Sequence, residues 1–301
     1  SSPNANLNPL VQLPLAMQVN SDDLCARARS STASQGESRV TAKVALITGA
    51  GSGMGQAYAR RLLRQGWCVA GLDVNRDGLE ALGQFPLLVK LVVDLRDEQA
   101  LLEAVRRIET ALGPITRVVN AAAIMPLGPL LEMDAAAVGR IVDVNFLGLV
   151  RVSRATMPGM LARGHGEFIS FASISGQVPI FFMGAYGASK AAVIAYTEVL
   201  EQETRGRGVH LVCVCPPAVK TPLLEQGRAT RWPGFLDVLP PITIDTVLDA
   251  VERALQRKRF WVYPGWYTRP SVWARRLTPR LLWWFVRLVE RPDAPPGDRH
   301  A

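Results

Sequence analysis

The chain has 301 residues, 49% hydrophobic and 20% charged, which is ordinary for a soluble globular protein that can bury a substantial core. Its four cysteines have neither metal-ligand spacing nor the density of a disulfide scaffold, so the sequence predicts a reducing compartment and no metal site. The formal net charge of +8 belongs wholly to the segment from Arg253 onward, where 11 Lys+Arg accompany three acids.

Residues 1–40 mix Ser, Asn, Gln and Ala with little periodicity. This composition predicts an irregular N-terminal arm. A positively charged region followed by an apolar stretch, as in a secretory signal, does not occur there, so we expect a cytoplasmic protein.

The first regular element is a buried strand at Val44–Ile47, which leads into a glycine-rich turn. The turn is Thr48-Gly49-Ala-Gly51-Ser-Gly53-Met-Gly55, and apolar residues at helical spacing follow it. Glycines let the backbone approach a pyrophosphate, and the dipole of the following helix attracts the anion. A strand, a glycine-rich turn and a helix start together therefore predict a dinucleotide site.

The second predicted strand, Trp67–Asp73, ends on an acid 18 residues beyond Gly55. A carboxylate at this distance binds the adenosine ribose of a dinucleotide. It would repel a 2′-phosphate, so the sequence favours NAD over NADP, although Arg76 nearby argues for NADP. The alternative is that Asp73 only forms a turn.

Strand and helix patterns then alternate as far as a sixth strand, Val209–Cys215. Repeated strand–helix units imply a parallel sheet with helices on both faces and right-handed crossovers. Ligands of such sheets bind beyond the carboxyl ends of the strands. Four residues lie at predicted strand ends: Asp94, Asn120, Ser173 and Pro216. Their positions indicate one cleft.

Tyr186 and Lys190 lie four residues apart in a predicted helix, so they share one face. A free tyrosine titrates near ~10 and is a poor base at neutral pH. A nearby ammonium group favours the phenolate and lowers this pKa, which makes proton exchange with an alcohol or carbonyl oxygen feasible. The pair alone is weak evidence, because this spacing also occurs by chance on solvated helix faces.

Together these motifs resemble the short-chain dehydrogenases/reductases in their one-domain form, over about Thr41 to Tyr263. The resemblance implies a single α/β domain at residues 41–263 with a Rossmann-type doubly wound parallel sheet of about seven strands and helices on both faces. It rests on several separate motifs at appropriate separations, so it is specific for the family.

The resemblance also implies catalytic roles. Tyr186 is the general acid/base at the substrate oxygen, and Lys190 shifts its pKa and holds the nicotinamide ribose. Ser173 hydrogen-bonds the same oxygen, and Asn145 positions a water that links Lys190 to solvent. Ser175 is the alternative serine, but Ser173 lies 13 residues before the tyrosine, as in similar proteins.

The cofactor site implied by the resemblance extends over several strand ends. Asp94 corresponds to the acid that contacts the adenine, and Val219 and Thr221 can meet the carboxamide. The full predicted set is Thr48, Gly49, Gly51, Ser52, Gly53, Met54, Gly55, Asp73, Asp94, Leu95, Asn120, Ala121, Ala122, Tyr186, Lys190, Pro216, Val219 and Thr221.

Two motifs depart from the family pattern. The usual Asn-Asn-Ala-Gly is here Asn120-Ala-Ala-Ala123, whose extra methyl group can crowd the backbone on the nicotinamide side. The usual Pro-Gly is Pro216-Pro217, and the loop must take another path because proline supplies neither an N–H nor a positive φ. Neither change removes a catalytic group.

Apolar segments flank the predicted site at Val178–Met183 and Pro222–Leu239. Such loops commonly form a lid over a hydrophobic substrate, and packing on a partner subunit is the alternative. We therefore expect a lipophilic secondary alcohol or ketone, steroid-like or with an acyl chain. The residues expected to contact it are Phe181, Phe182, Met183, Leu223 and Leu224.

Residues 264–301 form a basic, Trp-rich C-terminal extension. Thr278 caps a predicted amphipathic helix with Pro279 at its first position, which runs to about Glu290. About 12 residues are too few to span a bilayer, which takes roughly 20. A basic amphipathic helix suits a membrane surface, so peripheral membrane contact is one interpretation; packing on the core or across a dimer is the other.

The predicted function is an NAD-dependent alcohol dehydrogenase or ketone reductase. The alternative is a cofactor-binding protein with little turnover, which senses the NAD/NADH ratio or docks partners through its tail. Nucleic acid is not an expected partner, because no recognition module occurs and the tail is too apolar for a phosphate-binding arm. The resemblance implies a homodimer or homotetramer joined through the helices that bear Asn145 and Tyr186.

Overall fold

The computed structural model describes residues 43–290. The predicted N-terminal arm and the end of the predicted C-terminal extension, residues 291–301, lie outside the described residues.

The described residues form a parallel sheet of seven strands. The strands are β1 (Val44–Thr48), β2 (Cys68–Asp73), β3 (Leu88–Val92), β4 (Ile115–Asn120), β5 (Gly166–Phe171), β6 (Val209–Val214) and β7 (Trp261–Val262). Their order across the sheet is β3-β2-β1-β4-β5-β6-β7, so the strand order reverses between β1 and β4. The predicted doubly wound parallel sheet is therefore confirmed, and its switch point lies at the glycine-rich turn.

Helices cover both faces of this sheet. They are α1 (Gly53–Arg64), α2 (Arg76–Glu80), α3 (Glu98–Leu112), α4 (Ala135–Val142), α5 (Gly148–Arg163), α6 (Gly184–Thr204), α7 (Pro222–Arg228), α8 (Ile244–Gln256), α9 (Thr268–Leu277) and α10 (Pro279–Val289). No single α-helix extends from Asp134 to Arg163, because a π-helical turn at Asp143–Leu147 joins α4 to α5. The helix expected at Pro279 is α10, and α9 is an element that the sequence analysis did not identify.

Strand β1 shows why the central strands are apolar on both sides. Ala45 and Ile47 pack with residues of α1 and α8 on one face of the sheet. Val44 and Leu46 pack with residues of α3 and α5 on the other face. Because helices exclude water from both faces, a period-two alternation of polar residues is absent from β1.

A buried polar cluster connects the sheet to two helices at the end of the strands away from the glycine-rich turn. The Arg117 guanidinium donates to Glu167 Oε2 at 2.6 Å and to Glu252 Oε1 at 3.0 Å. Tyr58 of α1 donates its hydroxyl to the same Glu252 oxygen at 2.6 Å, and Arg117 lies over the Trp67 ring. The guanidinium pairs with both carboxylates, so each charged group in this buried cluster has a partner of opposite charge.

Candidate active site

The turn between β1 and α1 has a backbone that only glycine can supply. Gly49 and Gly53 have φ values of +68° and +53°. A Cβ on Gly55 would lie 2.2 Å from the Gly49 carbonyl oxygen, and one on Gly49 would lie 2.8 Å from Ala122 Cα. The turn therefore presents bare backbone, and α1 begins directly after it with N–H groups that have no partner within the helix.

The floor of this site is a set of hydrogen bonds between two neighbouring strand ends. Thr48 donates its hydroxyl to Asn120 Oδ1 at 2.8 Å, and Ala122 N–H donates to Thr48 Oγ1 at 3.3 Å. Thr48 and Asn120 are both buried, so they support the cleft rather than line it. Their role is to hold the glycine-rich turn at a constant distance from the segment after β4.

The Asp73 carboxylate is held at the edge of the cleft by two backbone groups. Gly51 N–H donates to Oδ2 and Asn75 N–H donates to Oδ1, both at 2.8 Å. A Cβ on Gly51 would lie 2.9 Å from this carboxylate, so the close approach requires glycine. Asp73 thus has one orientation before any ligand arrives.

Asp94 follows β3 and forms an ion pair that the sequence analysis did not foresee. Arg96 Nη2 donates to Asp94 Oδ2 at 2.6 Å, and the Arg96 backbone N–H donates to Oδ1 at 2.9 Å. The side-chain hydrogen bond from Arg96 is the main reason that the pKa of Asp94 is lowered. The carboxylate therefore stays charged and the guanidinium is fixed beside it at the cleft.

These elements enclose a cleft of about 480 Å³. The predicted cofactor residues that line it are Gly49, Ser52, Gly53, Met54, Asp73, Asp94, Leu95, Ala121, Ala122 and Thr221. Lining residues that the sequence analysis missed include Val74, Arg96, Arg140, Val144 and Gln226. Arg140 and Val144 belong to α4 and the π-helical turn, and no local motif marks them because folding alone brings this segment to the cleft.

Three of the four predicted catalytic residues lie close to where β5 ends and α6 begins. Ser173, Tyr186 and Lys190 are buried, with exposed fractions of 8%, 5% and 3%. Lys190 Nζ donates to the Phe171 carbonyl oxygen at 2.8 Å and lies 5.8 Å from the centroid of the Tyr186 ring. The sequence spacing of four residues thus places both groups on one side of α6, as expected.

Burial dominates the electrostatics of this pair. It raises the pKa of Tyr186 to about 12, and a hydrogen bond with Ser173 acts in the opposite direction. It lowers the pKa of Lys190 to about 8, while the neighbouring Cys213 and Cys215 act in the opposite direction. The expectation that Lys190 lowers the pKa of Tyr186 is not met here, because the ammonium is itself desolvated and points to a backbone carbonyl.

Both candidate serines lie in the site, and they are bonded to one another. Ser175 donates its hydroxyl to Ser173 Oγ at 2.9 Å, and its backbone N–H donates to the same oxygen at 3.2 Å. Ser173 accepts both bonds and is the serine that lowers the pKa of Tyr186. Ser175 therefore orients Ser173, whose own O–H remains the group to donate toward the phenol.

Asn145 lies in the π-helical turn and connects two walls of the site. Its Oδ1 accepts from Ile124 N–H at 2.8 Å, and its Nδ2 donates to the Ile124 carbonyl at 3.0 Å and to Ser189 Oγ at 3.1 Å. Ser189 in turn donates to the Tyr186 carbonyl at 2.7 Å. π-Helical turns are common at functional sites, and this one fixes the segment after β4 against α6.

A second, apolar pocket of about 70 Å³ adjoins the cleft. Ser173, Tyr186 and Lys190 line it. The residues that line both cavities are Met54, Ala121, Ala123, Thr221 and Leu223. The buried phenol therefore lines a pocket that shares part of its wall with the large cleft.

Of the predicted substrate residues, Met183, Leu223 and Leu224 line this pocket. Phe181 and Phe182 do not: the Phe181 ring packs on Trp283 at 5.7 Å, and the Phe182 ring lies beneath the Arg231 guanidinium at 5.0 Å. Phe182 has a φ of +64°, an uncommon conformation for a bulky residue. The whole segment Val178–Met183 is apolar, so its sequence predicted an apolar wall. The conformation of its backbone determines which of its side chains enter the pocket.

Other apolar residues complete the pocket. Those that were not predicted include Met125, Phe171, Ala172, Ile174, Ile180, Pro217, Ala218 and Leu236. Ile180 and Leu236 lie inside the two apolar segments that were expected to form a lid, so the sequence pattern could have identified them. No sequence pattern marks Met125, because the folding of the segment after β4 brings it to the pocket.

The two departures from the expected motifs have clear places in the structure. Ala123 lines both cavities, so its methyl group lies where they meet. After Pro217 the chain forms an isolated parallel bridge between Val219 and Ile242. Lys220 N–H donates to the Ile242 carbonyl at 3.0 Å, and this pairing gives the loop its path.

The comparisons with known proteins show the family. The chain belongs to the short-chain dehydrogenases: the model of that family, described as short chain dehydrogenase, matches residues 43–232. The chain is 32% identical over 190 residues to the 2-dehydro-3-deoxy-L-rhamnonate dehydrogenase (NAD(+)) of a Sphingomonas species, covering 62% of this chain and 76% of that relative. The resemblance inferred from the motifs is thus confirmed, and the protein is an oxidoreductase of this family.

Solved structures share the fold. A short-chain dehydrogenase/reductase from Burkholderia phymatum in complex with NAD has a TM-score of 0.72 and 24% identity, covering 81% of this chain and 96% of that one. A short-chain dehydrogenase from Burkholderia cenocepacia in complex with NADP has a TM-score of 0.70 and 25% identity, covering 83% and 99%. Of these two neighbours, one is thus a complex with NAD and the other a complex with NADP.

The depressed pKa of Lys190 predicts a pH dependence of stability. Between about pH 8 and the ordinary value of 10.5, the unfolded chain holds a proton that the folded chain has lost. The destabilising contribution of the buried ammonium is therefore present in full below pH 8 and decreases as the pH rises. Relative to Lys190→Met, the free energy of unfolding of the wild type should rise by up to about 1.4 kcal/mol per pH unit above pH 8.

Urea denaturation between about pH 7 and pH 10 tests this prediction, because Tyr186 begins to act with the opposite sign only above its ordinary pKa of 10. The exposed Lys43→Met is the control and should give a curve parallel to that of the wild type. Parallel curves for the wild type and Lys190→Met would contradict the prediction.

Proposed function

We propose that the protein transfers a hydride between NAD(H) and a lipophilic secondary alcohol or ketone. The observation that carries this proposal is the position of Ser173, Tyr186 and Lys190, which line an apolar pocket that adjoins the cleft at the glycine-rich turn. The nicotinamide supplies and receives the hydride when it is bound. The protein contributes the proton, the positioning and the exclusion of water.

Tyr186 is the general acid/base of this proposal. With a pKa of about 12 the phenol is protonated at neutral pH, so it can donate a proton to a carbonyl oxygen as that oxygen gains charge. Ser173 donates a second hydrogen bond to the same oxygen. Oxidation of an alcohol is the reverse reaction and starts from the phenolate form of Tyr186, which accepts the proton of the alcohol while Ser173 holds the same oxygen.

Lys190 and Asn145 hold the surroundings of the phenol. The ammonium uses one donor on the Phe171 carbonyl, so two further donors are available for the ribose hydroxyls of a bound cofactor. Asn145 Oδ1 accepts one bond in the structure and has a second lone pair to orient a water between Lys190 and solvent. The same carboxamide holds α6 in place through Ser189.

The residues of the cleft fit a dinucleotide. The bare backbone at Gly49–Gly53 and the start of α1 suit a pyrophosphate. The fixed Asp73 carboxylate suits the two hydroxyls of the adenosine ribose and opposes a 2′-phosphate. Asp94 and Arg96 also line the cleft and would lie at the adenine end of a bound dinucleotide. The Asp73 carboxylate therefore favours NAD over NADP. The Arg76 side chain, the nearby cation that argued for NADP, is exposed to solvent.

The apolar pocket admits the reacting end of a substrate. At about 70 Å³ it is too small for a whole steroid or a long acyl chain, so its outer wall must open. That wall includes Leu223 of α7 and Leu236 of the 3-10 turn Gly234–Asp237. It is attached to the segment after β4 by bonds from Met125 N–H to Gln226 and from Leu127 N–H to Thr230.

Removal of the phenol hydroxyl tests the proposal. Tyr186→Phe should lower kcat by about 100- to 10,000-fold, because the proton donor is lost while the ring is kept. Tyr196→Phe is the matched control on the same helix: its hydroxyl bonds to Ser153 and does not line the site, so kcat should stay within about threefold. The measurement is NADH absorbance with a panel of ketones and alcohols.

Activity of Tyr186→Phe within tenfold of the wild type would refute the assignment. Tight NAD binding by the wild type with no turnover across the panel would instead favour a cofactor sensor.

Removal of the carboxylate at the end of β2 tests the cofactor preference. Asp73→Ser should lower kcat/KM for NAD by about 10- to 100-fold and raise it for NADP, because charge-assisted bonds to the ribose are lost and repulsion of a phosphate disappears. Asp77→Ser removes a neighbouring exposed carboxylate of α2 that does not line the cleft. If Asp77→Ser changes the NAD/NADP ratio as much as Asp73→Ser, the preference does not depend on Asp73.

Chain length tests the substrate class. For a series of methyl ketones, kcat/KM should rise by roughly three- to fourfold per added methylene until the pocket is filled, as expected from ~0.8 kcal/mol per buried CH₂. Steady-state kinetics with saturating NADH measure this slope. A flat series, or a preference for small polar ketones, would contradict a lipophilic substrate.

A further inference from the structure

Helix α10 exposes an apolar stripe. Leu281, Trp284, Phe285 and Leu288 stand at positions i, i+3, i+4 and i+7, which lie along one face of a helix. Their exposed fractions are 60%, 59%, 39% and 64%. The regular spacing places large apolar side chains where a surface helix normally carries polar ones.

The preceding helix continues this feature. Trp273 and Leu277 are four residues apart on α9 and are 60% and 77% exposed, and Trp266 just before the helix is 81% exposed. The stripe residues of α10 together with these three form what we call the apolar surface. Exposed apolar surface of this extent marks an interaction site rather than a solvated face.

The opposite side of α10 is already covered. Val286 is fully buried, Trp283 packs edge-on against Phe181 with centroids 5.7 Å apart, and Glu290 accepts a hydrogen bond from Phe235 N–H at 3.1 Å. The helix is therefore held to the domain by one face, and the stripe faces outward except at its edge, where the Phe285 ring also contacts Phe235. Burial on the domain does not explain the stripe.

The segment that carries the apolar surface is also rich in positive charge. The segment from Pro264 to Glu290 contains five arginines and one acid. The acid, Glu290, is buried on the inner side. The arginines are Arg269, Arg275, Arg276, Arg280 and Arg287. The two short helices combine tryptophan, leucine and arginine. This composition is typical of helices that lie in the interface of an anionic bilayer.

We propose that α9 and α10 are a membrane-docking surface, which places the protein on an anionic lipid bilayer without crossing it. The arginines contact lipid phosphates and carboxylates, and the apolar surface enters the region between headgroups and acyl chains. No helix among residues 43–290 is long and apolar enough to cross a bilayer, so contact through this segment is peripheral.

A second copy of the chain fits this surface less well. A two-fold symmetric interface places the same patch on both subunits, so the arginines of one copy would approach those of the other. The described residues of α9 and α10 offer no exposed acid to pair with them. An anionic bilayer supplies that charge.

The docking surface lies directly over the lid of the apolar pocket. Phe285 contacts Phe235 at a centroid distance of 6.0 Å, and the next residue, Leu236, lines the pocket. This part of the inference rests on the proposed function: a lipophilic substrate dissolved in the bilayer enters the pocket beneath α10. Docking itself depends only on the surface.

Vesicle co-sedimentation of the full chain tests docking. We expect binding to phosphatidylcholine vesicles that contain about 30% phosphatidylserine, and much weaker binding to pure phosphatidylcholine. Leu281→Glu/Leu288→Glu should lower the partition coefficient at least about tenfold, because two carboxylates enter the apolar stripe. Arg280→Gln/Arg287→Gln should weaken binding to the anionic vesicles only.

Matched controls are Leu102→Glu/Leu131→Glu, two exposed apolar residues outside α9 and α10, and Arg106→Gln/Arg107→Gln on α3. These variants should bind as the wild type does. Failure of the full chain to bind either vesicle, or equal loss in the controls, would overturn the proposal. So would light scattering that shows Leu281→Glu/Leu288→Glu converting an oligomer into a monomer, because the stripe would then be a subunit interface.

Turnover separates docking from the proposed function. With a short, water-soluble ketone and no vesicles, Leu281→Glu/Leu288→Glu should match the wild type, which verifies the catalytic site alone. With a long-chain ketone in anionic vesicles, the same variant should show a KM at least about tenfold higher. Vesicle binding without any turnover would leave docking supported and the proposed function refuted.

Discussion

The burial of a phenol and an ammonium on one side of α6 is the constraint on which the site depends. Loss of water raises the pKa of Tyr186 to about 12 and lowers the pKa of Lys190 to about 8, so each group is pushed toward its neutral form. A protonated phenol in an apolar pocket is suited to donate a proton to a developing alkoxide. The same burial makes every hydrogen bond of the site stronger than it would be in water.

The rest of the fold holds this pair beside the glycine-rich turn. The ends of β1 and β4 are joined through Thr48 and Asn120, and Asn145 connects the segment after β4 to α6. At the other end of the strands, Arg117 connects the sheet to α1 and α8. Polar contacts thus occur at both edges of an apolar sheet, and the edge that is left open is the carboxyl edge.

Much of the fold was predictable because its signals are local. The apolar run of β1, the glycines after it and the helical spacing of Tyr186 and Lys190 each act over a few residues. The interruption at Asp143–Leu147 and helix α9 were missed, since neither a π-helical turn nor a short helix with a proline has a strong periodic signal. Arg96 was missed because its ion pair with Asp94 arises from a tight turn.

Local patterns in the sequence were enough to establish the family and the parallel sheet, and they marked the residues that we propose to perform the chemistry. Which apolar side chains enter the pocket depends on the folding of the whole chain, since Met183 lines the pocket while Phe181 packs on Trp283. The same folding decided that the stripe of α10 faces outward. The physical reason is that periodicity shows which residues share a face of a helix, whereas the contacts of the whole chain determine which face is covered.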